Sequence, residues 1–334
     1  MEKIKVAING FGRIGRNVFK IALEKPNIEM VGINDLTDTK TLAYLLKYDS
    51  TQGKFSGNVT YDDTHIIVNG IKVKVTAEKS PSQIPWVSVP DVVIESTGKF
   101  VTRESEKGGY GDHLKNGAKK VLLTVPAKDE IDRMIVLGVN EHELKSTDLC
   151  VSNASCTTNC LAPIVKILND NWGVENGFMT TVHAYTNDQM ILDAPHKDLR
   201  RARAAAVSQV PTTTGAAKSV GKVIPELKGK LDGVSIRVPN PTGSIVDFVV
   251  NLKKEATKEE INAAVKRASE TTMKGIVEYC EDPIVSVDVV HNPHSSIFDA
   301  LSTMVIGKTV KILSWYDNEW GYSNRVVDLI PKLF

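Results

Sequence analysis

The segment Gly10-Phe11-Gly12-Arg13-Ile14-Gly15 constrains this chain most, because of what stands on either side of it. An apolar run, Ile4–Asn9, leads into it as a buried strand, and a helical pattern over 12–24 follows. A second strand-like run, Ile28–Asn34, then ends beside an acidic residue, Asp35. Glycines in this pattern between strand and helix, with a carboxylate about 20 residues on, form the fingerprint of a dinucleotide-binding βαβ unit. The glycines let the backbone approach a pyrophosphate, and the helix N-terminus stabilises its charge. Asp35 is placed to accept ribose hydroxyls. A nicotinamide dinucleotide site is expected here.

Further short apolar runs over 91–95 and 120–124 close on polar or small residues. Strands that alternate with helices predict βαβ units and a mostly parallel sheet, whose ligands gather at the carboxyl ends of the strands. The second half has long β-rich stretches over 179–185, 234–238 and 244–253. A helix follows, with a capping box at Thr257 and Glu260 and apolar residues at 261, 264, 265 and 268. Strands are expected again over 284–290 and 303–315. The fold class is therefore α/β: a Rossmann-type dinucleotide-binding domain with a mostly parallel sheet, plus an α+β catalytic domain with a largely antiparallel sheet. At 334 residues the chain suits two domains rather than one core. The style changes near 151–155, which predicts domains of 1–154 and 155–319. The helical segment 320–334 is expected to pack back on the first.

A formal net charge of +1 gives no basic field, so nucleic acid is not an implied partner. No apolar run has signal-peptide or membrane-span length, and no membrane association is expected. Cysteines at 150, 156, 160 and 280 suggest neither a disulfide scaffold nor the paired spacing of a zinc site. No metal site is expected, and the cytoplasm is the expected location.

One cysteine stands apart. In Ala154-Ser155-Cys156-Thr157-Thr158-Asn159-Cys160 the hydroxyl residues favour a helix N-cap, and Leu161, Ile164, Val165 and Leu168 continue at helical spacing. That puts Cys156 in the first turn, where unpaired N–H groups and the positive dipole end favour a thiolate. Such placement, with a neighbouring His, brings a thiol pKa from about 8.5 into the range of roughly 3.5–7.5. Cys156 is read as a nucleophile. Among seven histidines, His183 stands at the end of a β run, whereas His113 and His142 lie in charged helical contexts. Cys and catalytic His are commonly distant in sequence and adjacent in space, which favours His183 as its base. Arg237 interrupts a strand pattern and is either a solvent-facing strand residue or a fork for a phosphate. Thr212-Thr213-Thr214-Gly215 precedes another helix as a second anion site or an ordinary cap. Residues 187–209, with Lys197, Arg200, Arg201 and Arg203, lack a core pattern and suit anion binding, a subunit contact or a solvated face. A hydride acceptor, a thiolate and two anion sites together imply aldehyde oxidation through a thiohemiacetal and a thioester. Phosphorolysis of the thioester would release an acyl phosphate.

Over essentially its whole length the chain resembles the phosphorylating glyceraldehyde-3-phosphate dehydrogenases. The segments that carry this are 9–16, 154–163, 181–184, 211–218 and 315–319. The resemblance implies oxidation of D-glyceraldehyde 3-phosphate to 1,3-bisphosphoglycerate with NAD and inorganic phosphate, in glycolysis or gluconeogenesis. It makes Cys156 the nucleophile and His183 its base. It assigns Ser155, Thr157, Thr186, Arg201, Thr214, Gly215 and Arg237 to two anion sites. Arg13, Ile14, Asp35, Lys79, Thr124, Asn187 and Asn318 fall on cofactor contacts, beside Gly10, Gly12 and Gly15, with Asn318 at the nicotinamide carboxamide. A homotetramer is implied, with 187–209 at the subunit core. The alternatives are an NADP-using relative, which Asp35 opposes, and an erythrose-4-phosphate dehydrogenase, which the intact 212–218 segment opposes. Gly108-Gly109-Tyr110-Gly111 stands where the family commonly has an alanine-rich helix, and each glycine disfavours a helix by roughly 1 kcal/mol relative to Ala.

Overall fold

Short strands, the central ones largely apolar, build the first unit of the structure, a computed structural model that describes residues 2–334. In order they are β1 (Ile4–Asn9), β2 (Ile28–Asn34), β3 (Val59–Tyr61), β4 (His65–Val68), β5 (Ile71–Thr76), β6 (Val92–Glu95), β7 (Lys120–Leu123), β8 (Arg133–Met134) and β9 (Cys150–Ser152). The helices between them are α1 (Arg13–Ala22), α2 (Thr39–Lys47) and the single turn α3 (Asp112–Lys115). The nine strands form one sheet in the order β3-β4-β5-β2-β1-β6-β7-β9-β8. Pairing is parallel from β5 onward in that order, and antiparallel at the β3-β4-β5 edge. Covered on both faces, central strands are continuous hydrophobic runs, and Val6, Ile8, Val93, Ile94, Leu122 and Leu123 are fully buried. This unit comprises the segments up to Ile135, His142–Ala154 and Ser323–Phe334.

The second unit, Val136–Glu141 and Ser155–Tyr322, follows antiparallel logic. Its strands are β10 (Val174–Ala184), β11 (Val210–Thr213), β12 (Leu231–Val238), β13 (Ser244–Leu252), β14 (Val277–Cys280), β15 (Ser296–Ile306) and β16 (Thr309–Tyr316). They lie in the order β11-β12-β10-β13-β16-β15-β14. All neighbours run antiparallel except β10 with β12 and β14 with β15. The helices are α4 (Cys156–Trp172), α5 (Ala216–Val223) and α6 (Lys258–Glu270), and α7 (Trp320–Leu329) follows the last strand. The capping box at Thr257 and Glu260 forms as expected. Apolar residues on one stripe of α4 (Leu161, Ile164, Val165 and Leu168) are buried, as are Phe248, Val250 and Ile312 of the sheet. The other face of the sheet is bare. Phe178, Val249, Lys311 and Met304 are aligned across β10, β13, β16 and β15, and Phe178 is 72% exposed.

Two local expectations need correction, and His113 adds a burial that its context did not show. Residues 284–290 form a turn with a short 3₁₀ segment, Ser286–Val289, and no strand. Asp288 accepts the Val285 N–H at 2.8 Å and closes the chain on itself. The stretch 303–315 is part of a hairpin, broken at Gly307, whose φ of +57° suits the first position of a two-residue hairpin turn. His113 is fully buried against Glu95, with Nε2 2.9 Å from the carboxylate, despite its charged surroundings in sequence. The glycines at 108–111 behave as their composition suggests: a side chain at Gly109 would overlap the Arg103 carbonyl, so the chain turns there instead of forming a long helix. Among the described residues, no helix is long and apolar enough to cross a membrane.

Candidate active site

In the first unit, the turn after β1 is built by its glycines. Gly10 has a φ of +92°, and a Cβ there would lie 2.7 Å from the Thr97 nitrogen. One at Gly15 would overlap the Gly10 carbonyl. Gly12 has the opposite role, because a Cβ on it would meet nothing within 4 Å and would project into a cavity of about 270 Å³. Gly10, Gly12, Asp35, Leu36 and Lys79 line that cavity. Gly12 also caps α1 without a side chain, which leaves the first N–H groups of the helix for an anion. The Asp35 carboxylate accepts the Phe11 N–H at 2.8 Å and the Thr37 N–H at 3.0 Å, so it is pinned to the glycine turn. These features fit a dinucleotide. The Arg13 side chain is paired with Asp49 at 2.8 Å, so what it offers a cofactor is its backbone. Ile14 follows it in the first turn of α1, while Thr124 is buried with its hydroxyl on the Glu95 carbonyl at 3.2 Å.

The second unit holds the thiol. Ser155 caps α4, its Oγ accepting the Thr158 N–H at 3.1 Å, so Cys156 is the first helical residue. Its Sγ lies 3.5 Å from His183 Nε2. His183 stands at the penultimate position of β10 and is 4% exposed. Its Nδ1 lies 2.7 Å from the Ala184 carbonyl, which can only accept, and 3.1 Å from Arg237 Nη1, which can only donate. Nη1 spends its two N–H groups on the Ala184 carbonyl and Thr186, so the shorter contact assigns the proton to Nδ1 and leaves the Nε2 lone pair toward the thiol. Parallel pairing of β10 with β12 sets Arg237 directly opposite His183. Arg237 Nη1 donates to the Ala184 carbonyl at 3.1 Å and to Thr186 Oγ1 at 2.9 Å. Its Nε–H is buried with no partner among the described residues. A buried unpaired guanidinium N–H calls for an acceptor, and a phosphate supplies one.

Hydrogen bonds link some of the residues expected at the anion sites. The Thr186 hydroxyl donates to Asp188, which also pairs with Arg201, while Arg201 Nε donates to Thr212 Oγ1 at 2.9 Å. Thr214 Oγ1 accepts the Ala216 N–H at 3.2 Å, and Gly215 caps α5 facing open space. Thr157 turns its hydroxyl inward to Tyr316, at 2.9 Å, leaving its backbone for the site. Asn318 is buried with Oδ1 on the Ser244 hydroxyl, and Asn187 is exposed. Three contributors escape sequence reasoning: Asp188, which orients Thr186 and Arg201; Tyr316, whose hydroxyl joins Thr157 and Thr181 at 2.9 Å each; and Ser244. An acidic residue inside a cationic stretch is a signal that Asp188 shares with Asp193 and Asp198, so it does not single Asp188 out.

The electrostatics correct one expectation. Burial pushes the Cys156 thiol above its ordinary value rather than below it, although Arg237, the Thr157 hydroxyl and the N–H groups of Thr157 and Cys156 pull it back. Burial, with the Arg237 guanidinium beside it, lowers His183 to about 3. The pair rests as neutral thiol and neutral imidazole. That leaves an imidazole free to take the thiol proton when a substrate arrives.

Comparison with known proteins agrees with both halves of this geometry. Residues 155–318 match the family model for the glyceraldehyde 3-phosphate dehydrogenase C-terminal domain. Residues 4–103 match that for its NAD binding domain. The chain is 64% identical to glyceraldehyde-3-phosphate dehydrogenase of Borreliella burgdorferi over 99% of each chain. It is 57% identical to that of Geobacillus stearothermophilus, over 98% of this chain and 97% of the relative. With glyceraldehyde-3-phosphate dehydrogenase 1 of Bacillus subtilis the identity is 55% over 98% and 97%. A thiol held against a strand-borne imidazole, on a chain this similar throughout, belongs to the glyceraldehyde-3-phosphate dehydrogenase family.

Proposed function

We infer that this chain catalyses the phosphorylating oxidation of D-glyceraldehyde 3-phosphate to 1,3-bisphosphoglycerate, with NAD as cofactor. The observation that carries this is the 3.5 Å approach of Cys156 Sγ to His183 Nε2, beside an Arg237 whose Nε–H lacks a partner. Nε2 takes the thiol proton as Sγ attacks the aldehyde carbon, and returns it to the carbonyl oxygen to give a thiohemiacetal on Cys156. Nε2 then withdraws that hydroxyl proton as the carbon is oxidised to the thioester. NAD, when bound, would supply the hydride acceptor for this oxidation; the residues that would hold it are Gly10, Gly12, Arg13, Ile14, Gly15, Asp35, Lys79 and Thr124, with Asn187 and Asn318 assigned to it by the family resemblance. Inorganic phosphate attacks the thioester, the acyl phosphate leaves, and Cys156 recovers its proton. Ser155, Thr157, Thr186, Arg201, Thr214, Gly215 and Arg237 hold the substrate phosphate and the attacking phosphate. NADH should form on mixing enzyme, NAD, glyceraldehyde 3-phosphate and phosphate. Turnover that did not depend on phosphate would contradict the phosphorylating step.

Residues 1–154 with 320–334 serve as the cofactor domain in this reading, and 155–319 as the catalytic and tetramerisation domain. The exposed Phe178, Val249 and Met304 on one sheet face, with Lys311 between the last two, support a homotetramer, since apolar residues gathered on an exposed face mark an interaction surface. Four free thiols suit a reducing cytoplasm.

Replacing Arg237 with leucine is expected to lower kcat/KM for glyceraldehyde 3-phosphate by about 10²-fold or more, because a charge-assisted pair is lost. Unphosphorylated glyceraldehyde should be affected far less. Equal losses on both would assign Arg237 to folding or chemistry instead.

Preference for NAD over NADP should be at least about tenfold in kcat/KM. Two unit charges about 4 Å apart repel by roughly 4 kcal/mol at an effective dielectric near 20, a value that solvation reduces. That repulsion acts between Asp35 and a 2′-phosphate, and neighbouring Leu36 has neither a cation nor a hydroxyl to offset it. Asp35→Gly should shift the ratio toward NADP, and an unshifted ratio in steady-state kinetics would absolve Asp35.

A further inference from the structure

Ser244 opens β13 and is 1% exposed, between two groups that the reaction uses for different purposes. Its Oγ is 3.1 Å from the Ala184 nitrogen and 2.9 Å from Asn318 Oδ1. A peptide N–H can only donate, so the hydroxyl accepts there. Its single proton is therefore directed to Asn318, where it meets a carbonyl oxygen and selects Oδ1 over the amide nitrogen. The orientation of the Asn318 amide is thereby fixed, and Nδ2 is turned away from Ser244 with no partner among the described residues. The same Ala184 residue accepts His183 Nδ1–H through its carbonyl, at 2.7 Å. One hydroxyl thus joins the residue that holds the His183 ring to the Asn318 amide.

We propose that Ser244 is a positioning residue that locks the Asn318 amide so that a donor, Nδ2, is presented to the carbonyl oxygen of the nicotinamide carboxamide. This rests on the placement of Asn318 at the nicotinamide. A donor at that point recognises any 3-carbonyl pyridinium ring, whether or not the ring carries an amide nitrogen. If the lock is lost, the side-chain amide can turn over. It then presents Oδ1, which requires the N–H of a true carboxamide.

NAD and 3-acetylpyridine adenine dinucleotide separate the two states, because the acetyl group keeps the carbonyl and lacks the N–H. Ser244→Ala should lower kcat/KM for the acetylpyridine coenzyme relative to NAD by about tenfold, the order expected of one buried hydrogen bond. Ser244→Thr, which keeps the hydroxyl, should restore the wild-type ratio. In an Asn318→Ala background, Ser244→Ala should leave the ratio unchanged, since there is no amide left to orient. If Ser244→Ala does not fold, Ser244→Cys, of similar shape but a much weaker donor, takes its place against Ser244→Thr. A loss shared equally by both coenzymes, or a ratio shift that persists without Asn318, would overturn the proposal in favour of a purely structural serine. If Asn318→Ala alone left NAD use and the ratio untouched, the placement of Asn318 would fail first and the proposal with it.

Discussion

Replacing Cys156 with serine is expected to remove at least about 10⁴-fold of turnover while NAD still binds. Neutral imidazole at 3.5 Å takes a proton from a thiol far more readily than from an alcohol, so serine in the same place leaves His183 without a usable partner. The glycine turn that builds the dinucleotide cavity lies on the first unit and does not include residue 156. NAD titration of the variant should therefore give a dissociation constant close to that of the wild type. Iodoacetamide supplies an independent check. Cys150 and Cys160 are buried and burial pushes both thiols up to about 12, whereas Cys156 is partly exposed and faces an acceptor. Alkylation that mapped first to Cys150, Cys160 or Cys280 would remove Cys156 from the mechanism.

His183→Asn should slow turnover by about 10²–10⁴-fold, the usual worth of a positioned general base. In the wild type, Nε2 stays unprotonated down to about pH 3 and can receive the Cys156 proton throughout the neutral range. Without it the thiol must ionise unaided. The pH profile of Cys156 alkylation should move upward, and the rate near pH 7 should fall. An unchanged profile would confine His183 to the oxidation step. Stability has a related signature. Between pH 6.5 and about 3, an unfolded chain binds a proton on His183 that the folded chain refuses, so stability declines as pH falls through that window. Thermal melts of His183→Asn should show a shallower decline over the same range.

Legibility in the sequence followed the range of the interactions. The glycine turn, Asp35 and the Ser155 cap are set by neighbours within a few residues, or by a strand–helix–strand unit, and could be read directly. The same holds for the buried stripe of α4 and for the capping box of α6. Misreadings came where one local device outweighed apolar character. Asp288 closes a turn through valines that spacing alone makes a strand, and one glycine with positive φ divides a long β run into a hairpin. The contributions of Tyr316, Ser244 and Asp188 depend on partners brought together by strand pairing, or through Arg201, so no spacing announces them. The raised thiol has a similar origin. A helix N-terminus is visible in sequence, but how much protein surrounds the sulfur is not.

A parallel pair cannot be closed by a hairpin, so the chain that leaves β10 at Ala184 must return the length of the sheet before β12 begins at Leu231. Its two ends are unforgiving, because a slip of one residue would carry Arg237 to the opposite face from His183. Arg201, Thr214 and Gly215 all ride on that return. His183 and Arg237, facing each other across that parallel pair, stand where register fixes them, while Arg201, Thr214 and Gly215 reach their places through the connection between the two strands.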